Sequence, residues 1–211
     1  MRKPIVGLAG GIGAGKSEVA RIMGGLGAGV ISADALNHEE LDSPEVRDTL
    51  VQWWGPGILN AAGGVDRAAV RRIVAGDAGA RRRLEQLVHP RIARRRDGLT
   101  ARYAEDPDVR AVVWDIPLLF EVGLADACDA IVFVESDFPA RLERVARDRG
   151  WSREDLERFQ AAQESLDSKR DRADYIVRNN SDRDALRREV ADVFSRILAA
   201  SRDLGRGHED R

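Results

Sequence analysis

Residues 10–17 of this chain read GGIGAGKS and follow directly on a short apolar run, IVGLA, at 5–9. The octet satisfies G-x-x-x-x-G-K-[ST], with Gly10, Gly15, Lys16 and Ser17 at the fixed positions. Such a loop curls so that successive backbone N–H groups point inward, which demands glycine where a Cβ would intrude or φ is positive. The helix it opens adds unsatisfied N–H groups and the positive end of a dipole, so the whole bend favours an anion. Lys16 suits the β and γ phosphates of a nucleoside triphosphate, and the Ser17 hydroxyl suits Mg²⁺. Gly11, Gly13, Ala14, Gly15, Lys16, Ser17 and Glu18 are therefore the expected nucleotide contacts. By composition alone the four fixed positions coincide about one or two times in a thousand. Only three of the 34 basic residues are lysines (Lys3, Lys16 and Lys169), so a lysine here is not explained by abundance.

The flanking pattern supplies a context. The run at 5–9 reads as a buried strand, 17–26 as a helix with Val19, Ile22, Met23 and Leu26 on one face, and Val30 and Ile31 as the start of a second strand. Strand, turn, helix and strand make a βαβ unit, which implies a parallel sheet. Further strands are expected at 109–116 and 130–135, with a weaker one at 174–178. Helical patterns at 66–75, 80–88 and 91–104 fill the long stretch between the second and third strands, far more chain than a crossover needs. Residues 137–168 read as two charge-rich helices, and 183–200 as an amphipathic one.

Composition narrows the function classes. At 211 residues, 43% hydrophobic and 33% charged, the chain suits one soluble globular domain with an insertion. No apolar run is long enough to span a bilayer, and the net charge of −2 offers no reason to expect nucleic-acid binding. A single cysteine, Cys128, forms no internal disulfide, and with no export signal a cytoplasmic address is expected. A monomer or weak homo-oligomer is expected.

The phosphate loop does not by itself choose between transfer and hydrolysis. Asp115 ends the third strand and is a candidate for holding Mg²⁺; the next residue is Ile116, not a water-activating acid. Asp34, at the end of strand two, is either a general base for an acceptor hydroxyl or the N-cap of the helix beginning ALNHEEL. The arginines of 137–158 either close as a lid over the phosphates or form a solvated face with ion pairs such as Arg144–Asp148.

Taken together, these segments resemble the dephospho-CoA kinase family. GLAGGIGAGKS, VISAD, WGPGIL, GGVDR, LEQLVHPRI, DIPLLFE and, after Gln163, ADYIVRN are similar to that family's blocks in the same order, from about Ile5 to Val190. The resemblance implies an α/β P-loop kinase fold with five parallel strands, the loop-bearing strand in the middle. It implies ATP and Mg²⁺, with dephospho-CoA as the acceptor phosphorylated on its ribose 3′-hydroxyl. It makes Asp34 the general base, Lys16 and Ser17 the phosphate and metal contacts, and Asn179 part of the closing region near the adenine. His89 and Arg91 fall in the acceptor lobe; read by itself, His89-Pro90 is equally a helix-start turn. Leu118, Leu119 and Phe120 read as core or pocket wall, and Glu121 as a residue that orders a turn.

Three departures stand out. Ser32 replaces the first acid of the family's acid-alanine-acid triplet, Glu18 stands where threonine is common, and Arg141 where glutamine is usual. The lid candidates are Arg144, Arg147 and Arg149. The expected parts are a nucleotide core (1–35, 109–136 and 173–201), a helical acceptor insertion (36–108), a lid (137–172) and a frayed tail (202–211). Two rival readings are a kinase for another small alcohol or nucleoside monophosphate, and a nucleotide-dependent regulatory switch.

Overall fold

The structure, a computed structural model, describes residues 2–206, with the backbone alone for 203–206. Five strands form: β1 (Ile5–Gly10), β2 (Ala28–Ser32), β3 (Ala111–Asp115), β4 (Ala130–Glu135) and β5 (Tyr175–Arg178). All pair in parallel in the order β2-β3-β1-β4-β5, so the strand feeding the phosphate loop stands in the middle, as the resemblance implies. β3 and nearly all of β4 are buried, which is why both read as unbroken apolar runs rather than alternating ones.

Helices α1 (Lys16–Gly25) and α9 (Arg183–Arg206) contribute the helical side of the main core. Val19 and Met23 of α1 and Val190 and Phe194 of α9 cluster with Val6, Leu8, Val113, Val132 and Val134 of the sheet. Full burial of such side chains contributes about 1.5–3 kcal/mol each, so this layer anchors the strand from which the loop springs. The expected tail is partly corrected: α9 continues through Arg206, and 207–211 lie outside the described residues.

The described residues form two compact units, the second of them residues 33–99, whereas the sequence suggested an insertion at 36–108. The last turns of α5 (Ala78–Glu105) belong with the sheet because Thr100 accepts from Trp114 Nε1 at 3.2 Å and the Tyr103 carbonyl accepts from Lys3 Nζ at 3.0 Å. The second unit has its own core, in which Leu41, Val46, Leu50, Ile58, Val70 and Val88 meet. Its helices α2 (Ala33–Asp42), α3 (Pro44–Trp54) and α4 (Arg67–Gly76) precede α5. The helix break expected at His89-Pro90 is absent, for Pro90 lies inside α5. Gln86 and Pro90 are both exposed, so the carbonyl that loses its N–H partner stands on a solvated face while Val88 stays buried.

Between β4 and β5 there are three helices, not two: α6 (Phe138–Arg149), α7 (Arg153–Ala161) and α8 (Leu166–Asp171). Ser152 and Asp155 form a capping box that starts α7, and the Ser165 hydroxyl accepts from Ser168 N at 3.1 Å to start α8. Ser165 is the start that the sequence pattern did not reveal.

Candidate active site

The loop between β1 and α1 closes on itself through Ala14 N to Gly11 O at 3.1 Å. Gly15 has φ +95°, and a Cβ there would stand 2.3 Å from the Asn179 amide nitrogen, so geometry and space both demand glycine. Lys16 reaches back across the loop, donating to the carbonyls of Gly10 (3.0 Å) and Gly11 (3.1 Å). Burial lowers its pKa from 10.5 to about 8; Asp115 and Glu121 oppose the shift, and Lys169 and Arg149 add to it.

This sets a pH dependence whose sign is definite. Between about pH 8 and 10.5 the unfolded chain binds more protons at Lys16, so this group adds stability as pH rises through that window. Polyphosphate binding runs the other way, because it needs the ammonium form and pulls the pKa back up. Affinity for a nucleoside triphosphate should therefore fall as pH rises above 8, with uptake of about one proton per molecule bound near pH 9. Calorimetry in buffers of different ionisation enthalpy measures this, and zero uptake would contradict it.

The loop is shored up from behind by residues remote in sequence. The Arg144 guanidinium donates to the carbonyls of Gly13 (3.1 Å) and Ala14 (3.3 Å), to Ser136 Oγ (2.9 Å) and to the Asn179 carbonyl (2.8 Å). Asn179 is buried, and its Nδ2 donates to Ala14 O at 2.8 Å. Arg144 thus does not pair with Asp148 but with the loop carbonyls, Ser136 and Asn179, and the Asn179 side chain is bonded to the loop. Arg147 is the residue bound to Asp148, at 2.8 Å and on an exposed face. Arg149, stacked 5.0 Å from the Trp151 ring centre, is the lid candidate whose charge is felt at Lys16.

Asp115 ends β3, 7% exposed, and its charge too is felt at Lys16. Ser32 pairs in register with it across β2 and β3, so a second acid at 32 would set two carboxylates side by side on neighbouring strands. Ser17 is exposed in the first turn of α1. Glu18 turns away: Arg21 grips its carboxylate at 2.7 Å, with Arg183 at 3.6 Å, and the Arg21 hydrogen bond holds its pKa below the usual carboxylate range. Its backbone N donates to Gly15 O within the first helix turn.

The site also contains an ion pair that the pattern did not expose. Lys169 of α8 is 2% exposed and lies 2.7 Å from Glu121 Oε1, the same oxygen that accepts from Glu164 N at 3.1 Å. Glu121 therefore does more than order a turn. The scarcity of lysine was the available signal for Lys169; its partner, 48 positions away by number, had none. In the block before it, Leu119 and Phe120 are buried but Leu118 is exposed, so only two of that apolar trio serve as core. Glu121→Gln strands a buried ammonium and should destabilise the fold by about 3–5 kcal/mol. Lys169→Met should cost less, since the freed Glu121 carboxylate, 21% exposed, can turn to water. Urea unfolding of the two variants checks that asymmetry.

In the second unit, Asp34 lies inside the first turn of α2, so it is not that helix's N-cap, and strand β2 ends two residues before it. His89 is exposed on α5. Arg91 is committed locally: its Nε donates to Glu40 at 2.9 Å and its Nη2 to Glu45, which raise its pKa, Glu45 most. Glu40 is buried and also takes Arg95, so the fork expected to hold an acceptor is occupied by an internal network.

Comparison with known proteins bears on the chemistry. The profile of the family described as dephospho-CoA kinase matches residues 4–185. A dephospho-CoA kinase of Thermobifida fusca is 37% identical over 194 residues, spanning 91% of this chain and 95% of that one. A crystal structure from Thermus thermophilus superposes with TM-score 0.75 at 30% identity, covering 93% and 98% of the two chains. The dephospho-CoA kinase of Campylobacter jejuni superposes with TM-score 0.67 at 24% identity over 92% and 97%, a likeness of fold.

Proposed function

The chain belongs to the dephospho-CoA kinase family, and from that premise we propose how its residues carry ATP's γ-phosphoryl group to the ribose 3′-hydroxyl of dephospho-CoA. The reaction is the last step of coenzyme A synthesis. The observation that carries the reading is Lys16, a partly buried ammonium poised across a preformed loop inside a chain that matches the family over 4–185.

In-line transfer leaves the protein mainly positioning and charge stabilisation to do. The P-loop N–H groups and Lys16 hold the β and γ phosphates, and the same ammonium stabilises charge that builds on the leaving oxygen. Asp34 accepts the proton of the 3′-hydroxyl as its oxygen bonds to phosphorus and the bond to ADP breaks. Arg149 is the lid arginine best supported, through its field at Lys16. His89 is retained as an acceptor contact; Arg91 fills that role only if its Glu40 and Glu45 bonds exchange.

The donor set fits Mg²⁺. Ser17 and Asp115 offer hard oxygens, and this ion takes one or two protein oxygens together with phosphates and waters. Held by these residues, it would supply positive charge to offset that of the triphosphate. Among the described residues no helix is long and apolar enough to cross a membrane. A cytoplasmic enzyme, monomeric or weakly self-associating, completes the proposal, supported by its lone cysteine. A coupled assay of ADP release tests it: dephospho-CoA should stimulate release strongly. A rate unmoved by dephospho-CoA would favour a regulatory switch, and stimulation only by another alcohol or a nucleoside monophosphate would favour the other rival.

A further inference from the structure

Burying a guanidinium costs free energy unless an anion answers it. Arg141 of α6 is 4% exposed. Its Nε donates to the Ser136 carbonyl at 3.1 Å, and its Nη1 to the Ile12 carbonyl at 3.4 Å and to the side-chain oxygen of Gln160. Every one of these acceptors is neutral. Among the described residues no carboxylate pairs with Arg141, whereas Arg21, Arg91, Arg95, Arg147 and Arg158 each have one. Burial pulls its pKa below the ordinary guanidinium value, yet an arginine remains charged at any working pH.

The location of that charge is specific. A Cβ added at Gly11 would stand 2.6 Å from Arg141 Nη1, so the guanidinium presses on the first bend of the phosphate loop. It also joins the loop to α7, because Gln160 belongs to that helix. A fixed cation that lacks an internal counter-charge and lies against an anion cradle is answered by whatever anion the cradle takes. A neutral glutamine at this position would keep hydrogen bonding and lose that field.

We propose that Arg141 is a positioning residue for the nucleotide's phosphates, bracing Gly11 and Ile12 from behind and adding an unneutralised positive charge that favours the more highly phosphorylated nucleotide. The inference rests on reading the loop as the ATP site. Its test uses binding without acceptor, so its failure is separate from failure of the ADP-release assay.

The measurement is the dissociation constant of the full chain for ATP, ADP and adenosine. Arg141→Gln should weaken ATP by about tenfold or more, ADP by less, and adenosine within about twofold. Arg141→Lys, which keeps the charge, should restore ATP binding to within about threefold. Equal losses for all three ligands would make the residue merely structural and overturn the proposal, as would unchanged ATP affinity. Should the glutamine variant fail to fold, Arg141→Lys decides: a tenfold loss of ATP affinity with charge retained overturns it.

Discussion

Lys16→Ala is expected to lower kcat/KM for ATP by about 10³-fold or more, with the fold intact. The side chain contributes a charge where no solvent substitutes for it, and a preorganised donor aimed at developing negative charge is worth about 10²–10³ by itself. Removing it also removes an interaction with the ground-state phosphates, so KM should rise as kcat falls. Stability should not suffer. Lys16 is a cation whose burial lowers its pKa to about 8, so deleting it relieves a desolvation cost and loses only bonds to Gly10 and Gly11. Steady-state ADP release and a thermal melt on the same preparation check both halves. A fall of less than tenfold in kcat/KM would remove Lys16 from the transfer step.

Asp34→Asn should lower kcat by about 10²–10⁴ while ATP affinity stays within a few-fold. The amide is close in size and keeps an oxygen that accepts a hydrogen bond, but it takes up no proton. A general-base role therefore predicts a loss confined to turnover. Asp34 lies in the first turn of α2, where an acid gains about 0.3–1 kcal/mol from the helix dipole, so the variant should unfold only slightly more easily. Comparing kcat with a directly measured ATP dissociation constant separates the two effects. Near-normal turnover would end the proposal that this acid accepts the hydroxyl proton.

What was legible in the sequence was what local chemistry decides. The loop at 10–17 is written in residue types that only a phosphate cradle needs, and the runs that become β1, β3 and β4 are apolar because strands between parallel neighbours are enclosed. What was not legible depends on long-range docking. The arginines of α6 read alike, as a lid or as a solvated face, yet Arg141 and Arg144 turn inward to carbonyls about 130 positions earlier, while Arg147 stays outside with its neighbour. No spacing rule distinguishes them; the position of α6 against the loop does. Likewise nothing in their spacing joins Lys169 to Glu121, which pair only where α8 buries the lysine. His89-Pro90 misled for the opposite reason: a local breaker was overruled because its cost falls on solvated backbone and the buried side of α5 stays continuous.

The bond from Asn179 to Ala14 has a consequence for how the protein is made. The side chain that braces the cradle is synthesised 165 positions after the residue it holds, just beyond β5. The Arg144 guanidinium, which also holds Gly13 and Ala14, gains its bond to the Asn179 carbonyl only when that same residue is made. A nascent chain halted before residue 179 therefore carries the complete motif without the Asn179 bonds to Ala14 and Arg144.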